Sequence, residues 1–241
     1  MRLALGLVFC FIFTMSNGSD ADSSKTKLVT SAAVSINSNG IASIPAFSLD
    51  KPAVIASLSL TKNRFSYDPT LAYGLDFRPW FIDNWLHFKI VRRPVFELTA
   101  GFNISTFGSR YNFTDEDHVW STQRYFALSM TGVYTVAPNS TVTLAYWSDN
   151  GQDGGIKGHF INLVGQKSEI NLGKKVLLSA SLQVFYINYE GNNDGFFVTP
   201  SVSSTLRDCP FSLFLMATQA INSNISPFPG FRWNIGLSYT M

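Results

Sequence analysis

Val95-Phe96-Glu97-Leu98-Thr99-Ala100-Gly101-Phe102-Asn103-Ile104 alternates without a break. Phe96, Leu98, Ala100, Phe102 and Ile104 share one face, and Glu97, Thr99, Gly101 and Asn103 share the other. A period of two is the signature of a strand, whose successive side chains point to opposite sides. In a soluble sheet the apolar face turns inward and the opposite face is solvated by charge. Here the second face is mostly small and uncharged, which fits a wall with lipid on its apolar side and a polar lumen on the other.

The same alternation recurs along the chain. Phe126, Leu128, Met130, Gly132, Tyr134 and Val136 oppose Tyr125, Ala127, Ser129, Thr131, Val133 and Thr135. Leu178, Ala180, Leu182, Val184 and Tyr186 oppose Ser179, Ser181 and Gln183, and Phe231, Trp233, Ile235, Leu237 and Tyr239 oppose Arg232, Asn234, Gly236 and Ser238. With turns marked by Gly, Pro, Asn and Asp, about twelve strands are expected, near 41–49, 52–61, 70–79, 85–91, 95–106, 122–136, 141–148, 157–172, 175–189, 195–206, 211–221 and 231–240. Connections alternate between tight turns such as Ala137-Pro138-Asn139-Ser140 and longer polar loops such as 108–121. The N-terminal third breaks that alternation, Pro45 and Pro200 fall inside expected strands, and 157–172 is poorly phased if Phe160 points outward.

Composition supports a membrane wall. The chain has 241 residues, 46% hydrophobic and only 14% charged, with 15% aromatic including 21 Phe. That excludes disorder, and 17 Gly with 10 Pro exclude a collagen-like chain. A formal charge of +2 with no basic run argues against nucleic-acid binding. Trp80, Trp85, Trp120, Trp147 and Trp233 all fall near loops on one expected side, the pattern of an aromatic belt.

The chain opens with Met1-Arg2 and about 13 apolar residues, Leu3 to Met15, ahead of Ser16-Asn17-Gly18. This is the pattern of a signal peptide over 1–18, too short for a spanning helix of roughly 20 residues. Cys10 would leave with it, and Cys209 alone would remain, so no internal disulfide is expected.

Together the leader, the alternating strands and the last strand, Phe231-Arg232-Trp233-Asn234-Ile235-Gly236-Leu237-Ser238-Tyr239-Thr240-Met241, resemble bacterial outer-membrane β-barrel proteins. The ending keeps the alternating aromatics but lacks the terminal aromatic usual in such proteins. The resemblance implies an all-β, closed antiparallel transmembrane β-barrel of about 12 strands in the bacterial outer membrane. It also implies contact with outer-membrane lipids and with the assembly machinery through the last strand. The expected organisation is a signal peptide over 1–18, an N-terminal periplasmic segment over 19–40 and the barrel over 41–241.

Searches for chemistry return little. There is no GxSxG, HExxH, CxxC, Walker-type or GxGxxG motif, so no enzyme, cofactor or metal is expected. The acidic stretch Asp115-Glu116-Asp117-His118 reads as a solvated loop before it reads as a cation site. Asp76, Arg78, His87, Lys89, Glu97 and Arg232 are the candidate lumen-lining charges, of mixed sign, able to line a pore or to close it by pairing. The expected function is a narrow channel for small polar solutes or a structural membrane component. Two alternatives stay open. A lipid-modifying barrel enzyme needs a Ser beside His87 or His159; a secreted soluble β-sandwich gains some support from sequons at Asn103, Asn112, Asn139 and Asn224.

Overall fold

The computed structural model describes residues 27–41, 48–112, 118–152, 157–190, 193–225 and 230–241, with the backbone alone for 109–112 and 118–121. Twelve strands are present: β1 (Val29–Asn37), β2 (Ala53–Lys62), β3 (Phe65–Gly74), β4 (Pro79–Arg93), β5 (Phe96–Asn112), β6 (His118–Ala137), β7 (Ser140–Gly151), β8 (Lys157–Leu172), β9 (Val176–Tyr189), β10 (Asn193–Leu206), β11 (Phe211–Ser223) and β12 (Phe231–Thr240). Each pairs with the next and β12 returns to β1, giving one closed antiparallel barrel. Closure pairs the strand edges, the condition for a sheet to stand in hydrocarbon. A single closed sheet also rules out the two-sheet sandwich.

Strand count and order follow the sequence pattern, but the N-terminal edge needs correction. The first strand lies at Val29–Asn37, inside the stretch expected as the 19–40 periplasmic segment, so the wall starts before residue 41. Ala33, Ser35 and Asn37 face inward against Val34 and Ile36, an alternation muted by its small residues. Residues 38–52 then form a connection, most of the expected 41–49 strand (with Pro45) lying outside the described residues. With this shift, 62–65 becomes a tight turn, with Asn63 at positive φ, and regular alternation of turns and loops is restored. The tight turns define one end of the barrel, shared with the start of β1 and the end of β12. The longer connections define the other. The leader over 1–18 lies outside the described residues.

The seam is latched by side chains. Asn234 Nδ2 donates to Asn37 Oδ1 at 2.8 Å, and its Oδ1 accepts from Asn39 N at 3.0 Å and Ser38 Oγ at 3.2 Å. Gly236 is required beside it, since a Cβ there would come within 2.3 Å of the Phe214 ring and 2.8 Å of the Ile36 carbonyl oxygen.

Outward phases match the alternation for β5, β6, β7, β9 and β12, whose Leu, Ile, Phe and Met side chains stand on the outer surface. β8 takes the opposite phase to the one expected. Phe160, Asn162, Val164 and Gln166 face inward, and a register shift between Lys167 and Ile170 then turns Ile170 and Leu172 outward. One bulge thus explains why no single phase fitted this strand. At Pro200 the β10–β11 register is interrupted over Thr199 and Pro200, where the missing N–H would have donated, and resumes at Ser201↔Met216.

Cys209 sits half-buried in the tight β10–β11 turn. An impermeant maleimide is expected to leave it unlabelled in intact cells and to label it after the outer membrane is opened. Labelling of intact cells would place the turn end outside and invert the barrel.

Candidate functional site: the lumen and its constriction

None of the six charged side chains singled out from sequence stands alone in the lumen. Asp76 and Arg78 are not on the wall: both lie in the β3–β4 connection at the loop end. There Asp76 Oδ2 meets Lys51 Nζ at 3.4 Å and Arg78 Nε at 3.3 Å. Desolvation works to raise the Asp76 carboxyl, but the Arg78 backbone N–H and the Lys51 ammonium outweigh it and hold the group below its ordinary value. Arg232, at the loop end of β12, donates from Nε to Asp50 Oδ1 at 2.9 Å.

His87, Lys89 and Glu97 lie on the inward phase of their strands, and each is paired. His87 Nδ1 lies 2.8 Å from Asp68 Oδ2, and Asp68 is also held by Ser66 Oγ at 2.7 Å and by Ser59. Trp85 stacks on the imidazole with centroids 5.4 Å apart and planes within 3°. Lys89 Nζ binds Glu97 Oε2 at 2.8 Å. Sequence reading missed Asp68 because it lay in the stretch taken for a loop.

The tryptophan belt is corrected in direction. Trp233 points outward, 53% exposed, as a belt residue should. Trp85 and Trp147 share the inward phase of Asp83 and His87, and of Ala145 and Asp149, and point into the lumen. Trp80 is 4% exposed and tucks beneath the β1–β2 connection, within contact of Gly40. The Trp120 side chain lies outside the described residues. Nearness to a loop fixes height along the axis; the direction is set by parity along the strand, which places Trp85 and Trp147 inside, while Trp80, of the opposite parity, is buried at the register irregularity between Ala72 and Tyr73.

Trp80 and Trp147 belong to two aromatic clusters toward the loop end. On one wall Trp80, Phe81, Phe107 and Tyr125 pack with Ala53 and Ala72. Phe81 and Phe107 lie 5.6 Å apart, and Phe107 meets Tyr125 edge-on at 5.9 Å. On the other, Phe160, Phe185, Ile187, Tyr189 and Phe197 form a cluster with Trp147 stacked on Phe160 at 5.1 Å. Twelve strands about 4.8 Å apart and tilted by about 40° give a backbone radius of about 12 Å, wider than an eight-strand barrel that side chains fill. Large rings from both walls are what narrows it. Toward the turn end the lining is small and polar: Ser181 and Ser201 share a hydrogen bond at 2.7 Å, and Thr199 bonds Thr218 at 2.9 Å.

Two carboxylates are set among the rings. Asp83 is 1% exposed, and neither oxygen has a hydrogen-bond partner; Asn103, whose Nδ2 is also unpartnered, is the side chain acting on it. Asp149 is 5% exposed with Oδ1 unpartnered. It converges with Phe160 and Tyr189 on Gly158, where a Cβ would lie 2.3 Å from Asp149 Oδ1 and 2.9 Å from both rings. Asn162 Oδ1 and Gln183 Nε2 add further open valences to the inner face. In sequence Asp83 falls just before the expected 85–91 strand and Asp149 just after the expected 141–148 strand, at the head of a Gly-Asn-Asp-rich stretch, so both read as loop residues.

Neither histidine considered for catalysis has a serine as hydrogen-bond partner. His87 is engaged by Asp68, and His159, turned outward, bonds the Tyr146 hydroxyl at 2.9 Å. Of the acidic loop candidate, 115–117 lies outside the described residues, and among the described residues no group of three His, Cys, Asp or Glu could hold a metal.

No protein-family model and no curated protein matches the chain. Solved structures do. The KdgM porin in complex with disordered oligogalacturonate is 10% identical, with 87% of this chain and 98% of that chain covered at a TM-score of 0.53. An outer membrane channel from Pseudomonas putida F1 is 11% identical, with 92% of this chain and 99% of that chain covered, also at 0.53. At such identity the likeness is one of fold, and the fold of this chain is the closed antiparallel barrel of bacterial outer-membrane proteins.

Proposed function

We propose that the chain is an integral protein of the bacterial outer membrane that forms a narrow channel for small polar solutes, with its turn end in the periplasm. The observation that carries this is the inner face toward the turn end, where small polar side chains such as Ser179, Ser181, Ser201 and Ser203 line the wall and stay only partly buried. A barrel plugged for rigidity would bury that lining among its own side chains; a polar face left partly open is one that water or a small polar solute can meet. The rim and wall charges are paired locally, at Asp76, Asp50, Asp68 and Glu97, rather than laced across the bore as a plug. Outside, the apolar side chains of β4 to β12 supply the lipid-facing surface. The neighbour structure that holds oligogalacturonate supports a polar solute class.

Detergent-folded protein is expected to migrate differently on SDS gels before and after boiling, and then to give small discrete currents in planar bilayers. Heat-shifting protein that adds no current above background would leave a structural barrel and overturn the channel.

A further inference from the structure

The inner face carries charge of both signs in sequence, but the structure sorts it. Each inward or rim cation expected from sequence has an acidic partner: Arg78 and Lys51 on Asp76, Arg232 on Asp50, Lys89 on Glu97, with His87 on Asp68. Among the described residues, the charged side chains left unpaired on the inner face toward the loop end are acids. Asp83 and Asp149 lie on β4 and β7, three strands apart around the wall, both nine-tenths buried; both oxygens of Asp83 and Oδ1 of Asp149 have no hydrogen-bond partner, while the Gly158 backbone N–H serves the Asp149 carboxylate.

Each acid also has the same surroundings. Asp83 is one inward step from Phe81, and its register partner Ser105 is one step from Phe107 and opposite Tyr125. Asp149 is one inward step from Trp147 and shares the space over Gly158 with Phe160 and Tyr189. A carboxylate sunk in apolar rings with its lone pairs open is an expensive arrangement for the empty protein. It is a favourable one once a cation arrives, since aromatic faces and a carboxylate both attract positive charge.

We propose that these two ring-flanked acids form a cation filter whose preferred occupants are small organic ammonium ions. This deepens the channel reading and rests on it for the route by which the ion arrives. A metal ion is the poorer fit, because each place offers one carboxylate where a hard cation takes six or more oxygens. An ammonium ion needs less: N–H donors for the open carboxylate oxygens and a charge to lie against the rings. Low-dielectric walls of one charge sign concentrate counter-ions, and that selects cations over anions along the whole path.

The test uses the full mature protein with Asp83→Asn, Asp149→Asn and the double variant, all first shown to fold by the heat-dependent gel shift. Asp76→Asn, at the paired rim, is the control. In bilayers across a potassium chloride gradient, the native channel is expected to favour cations by about tenfold or more. The double variant should fall to near unity, and the rim control should not change. Separately, methylammonium chloride is titrated against sodium chloride at equal ionic strength, with tryptophan fluorescence from Trp80 and Trp147 as readout. A saturable response to methylammonium that disappears in the double variant is expected. Current without cation preference, unaltered by the double variant, overturns the filter and leaves the channel standing. Saturable methylammonium binding without current overturns the channel and leaves the site standing. Cation preference that depends on the two acids, with no methylammonium response, overturns the ammonium chemistry.

Discussion

Leu144→Arg is expected to cost the folded barrel about 2–4 kcal/mol, whereas Thr143→Arg, the neighbouring residue, is expected to cost little. Leu144 lies midway along β7, outward-facing and 55% exposed, and Thr143 faces the lumen toward the wide, polar end. If the outer surface met water, a half-exposed leucine would accept arginine almost freely, within about 0.5 kcal/mol. If it meets hydrocarbon, a guanidinium at that depth loses its hydration and drags a water defect after it. The measurement is the urea midpoint of each variant refolded into lipid vesicles, with Thr141→Arg as a second inward control. Equal, small effects at 143 and 144 would mean that the outer face is not in lipid, and the membrane assignment would fall. The pair is informative because both changes add the same charge to the same strand, so propensity and net charge cancel.

Almost all of the wall was legible in sequence because period two is a local property. Phe96 to Ile104 declares its faces without knowledge of any partner strand, and β12 does so as clearly. What local pattern does not fix is where a phase slips. The bulge between Lys167 and Ile170 shifts β8 by one residue, and a single phase for 157–172 could not contain both Phe160 inward and Ile170 outward. The first strand was missed for a related reason: Ala32, Ala33 and Ser35 are small enough that neither face of Val29–Asn37 looks apolar, and pairing with β12 and β2 is what makes it a strand.

The site was less legible, and the reason is that a lumen combines two demands. Sequence reading looked inward for charge and found His87, Lys89 and Glu97, which the structure pairs off. It looked outward for aromatics, whereas Trp85 and Trp147 lie on the inward phase. In a barrel wider than its small polar side chains can fill, large rings are needed on the inside as well. The inward run Phe185, Ile187 and Tyr189 on β9 continues the Ser179, Ser181 and Gln183 face, and the change from serine to aromatic along one face marks the constriction. Asp83 and Asp149 read as loop residues at strand ends because their surroundings come from four other strands, which no local pattern shows.

Truncating the constriction tests that account with two readouts of opposite sign. Phe160→Ala combined with Tyr189→Ala removes two rings that are 0% exposed and meet edge-on at 5.8 Å. In a closed core each such truncation costs about 3–5 kcal/mol, from lost burial and the cavity left behind. Here the space adjoins a polar lumen, so water can enter it and the cost should sit at or below the lower figure. The heat-dependent gel shift should therefore move to lower temperature while the folded band survives. Unit conductance should rise several-fold, because the narrowest section of a pore dominates its resistance and these rings form it. Phe126→Ala, which removes an outward ring from β6, should lower stability without changing conductance. A double variant that conducts like the native protein would show that the path does not pass between β8 and β9, and the aromatic cluster would then be packing for the wall alone.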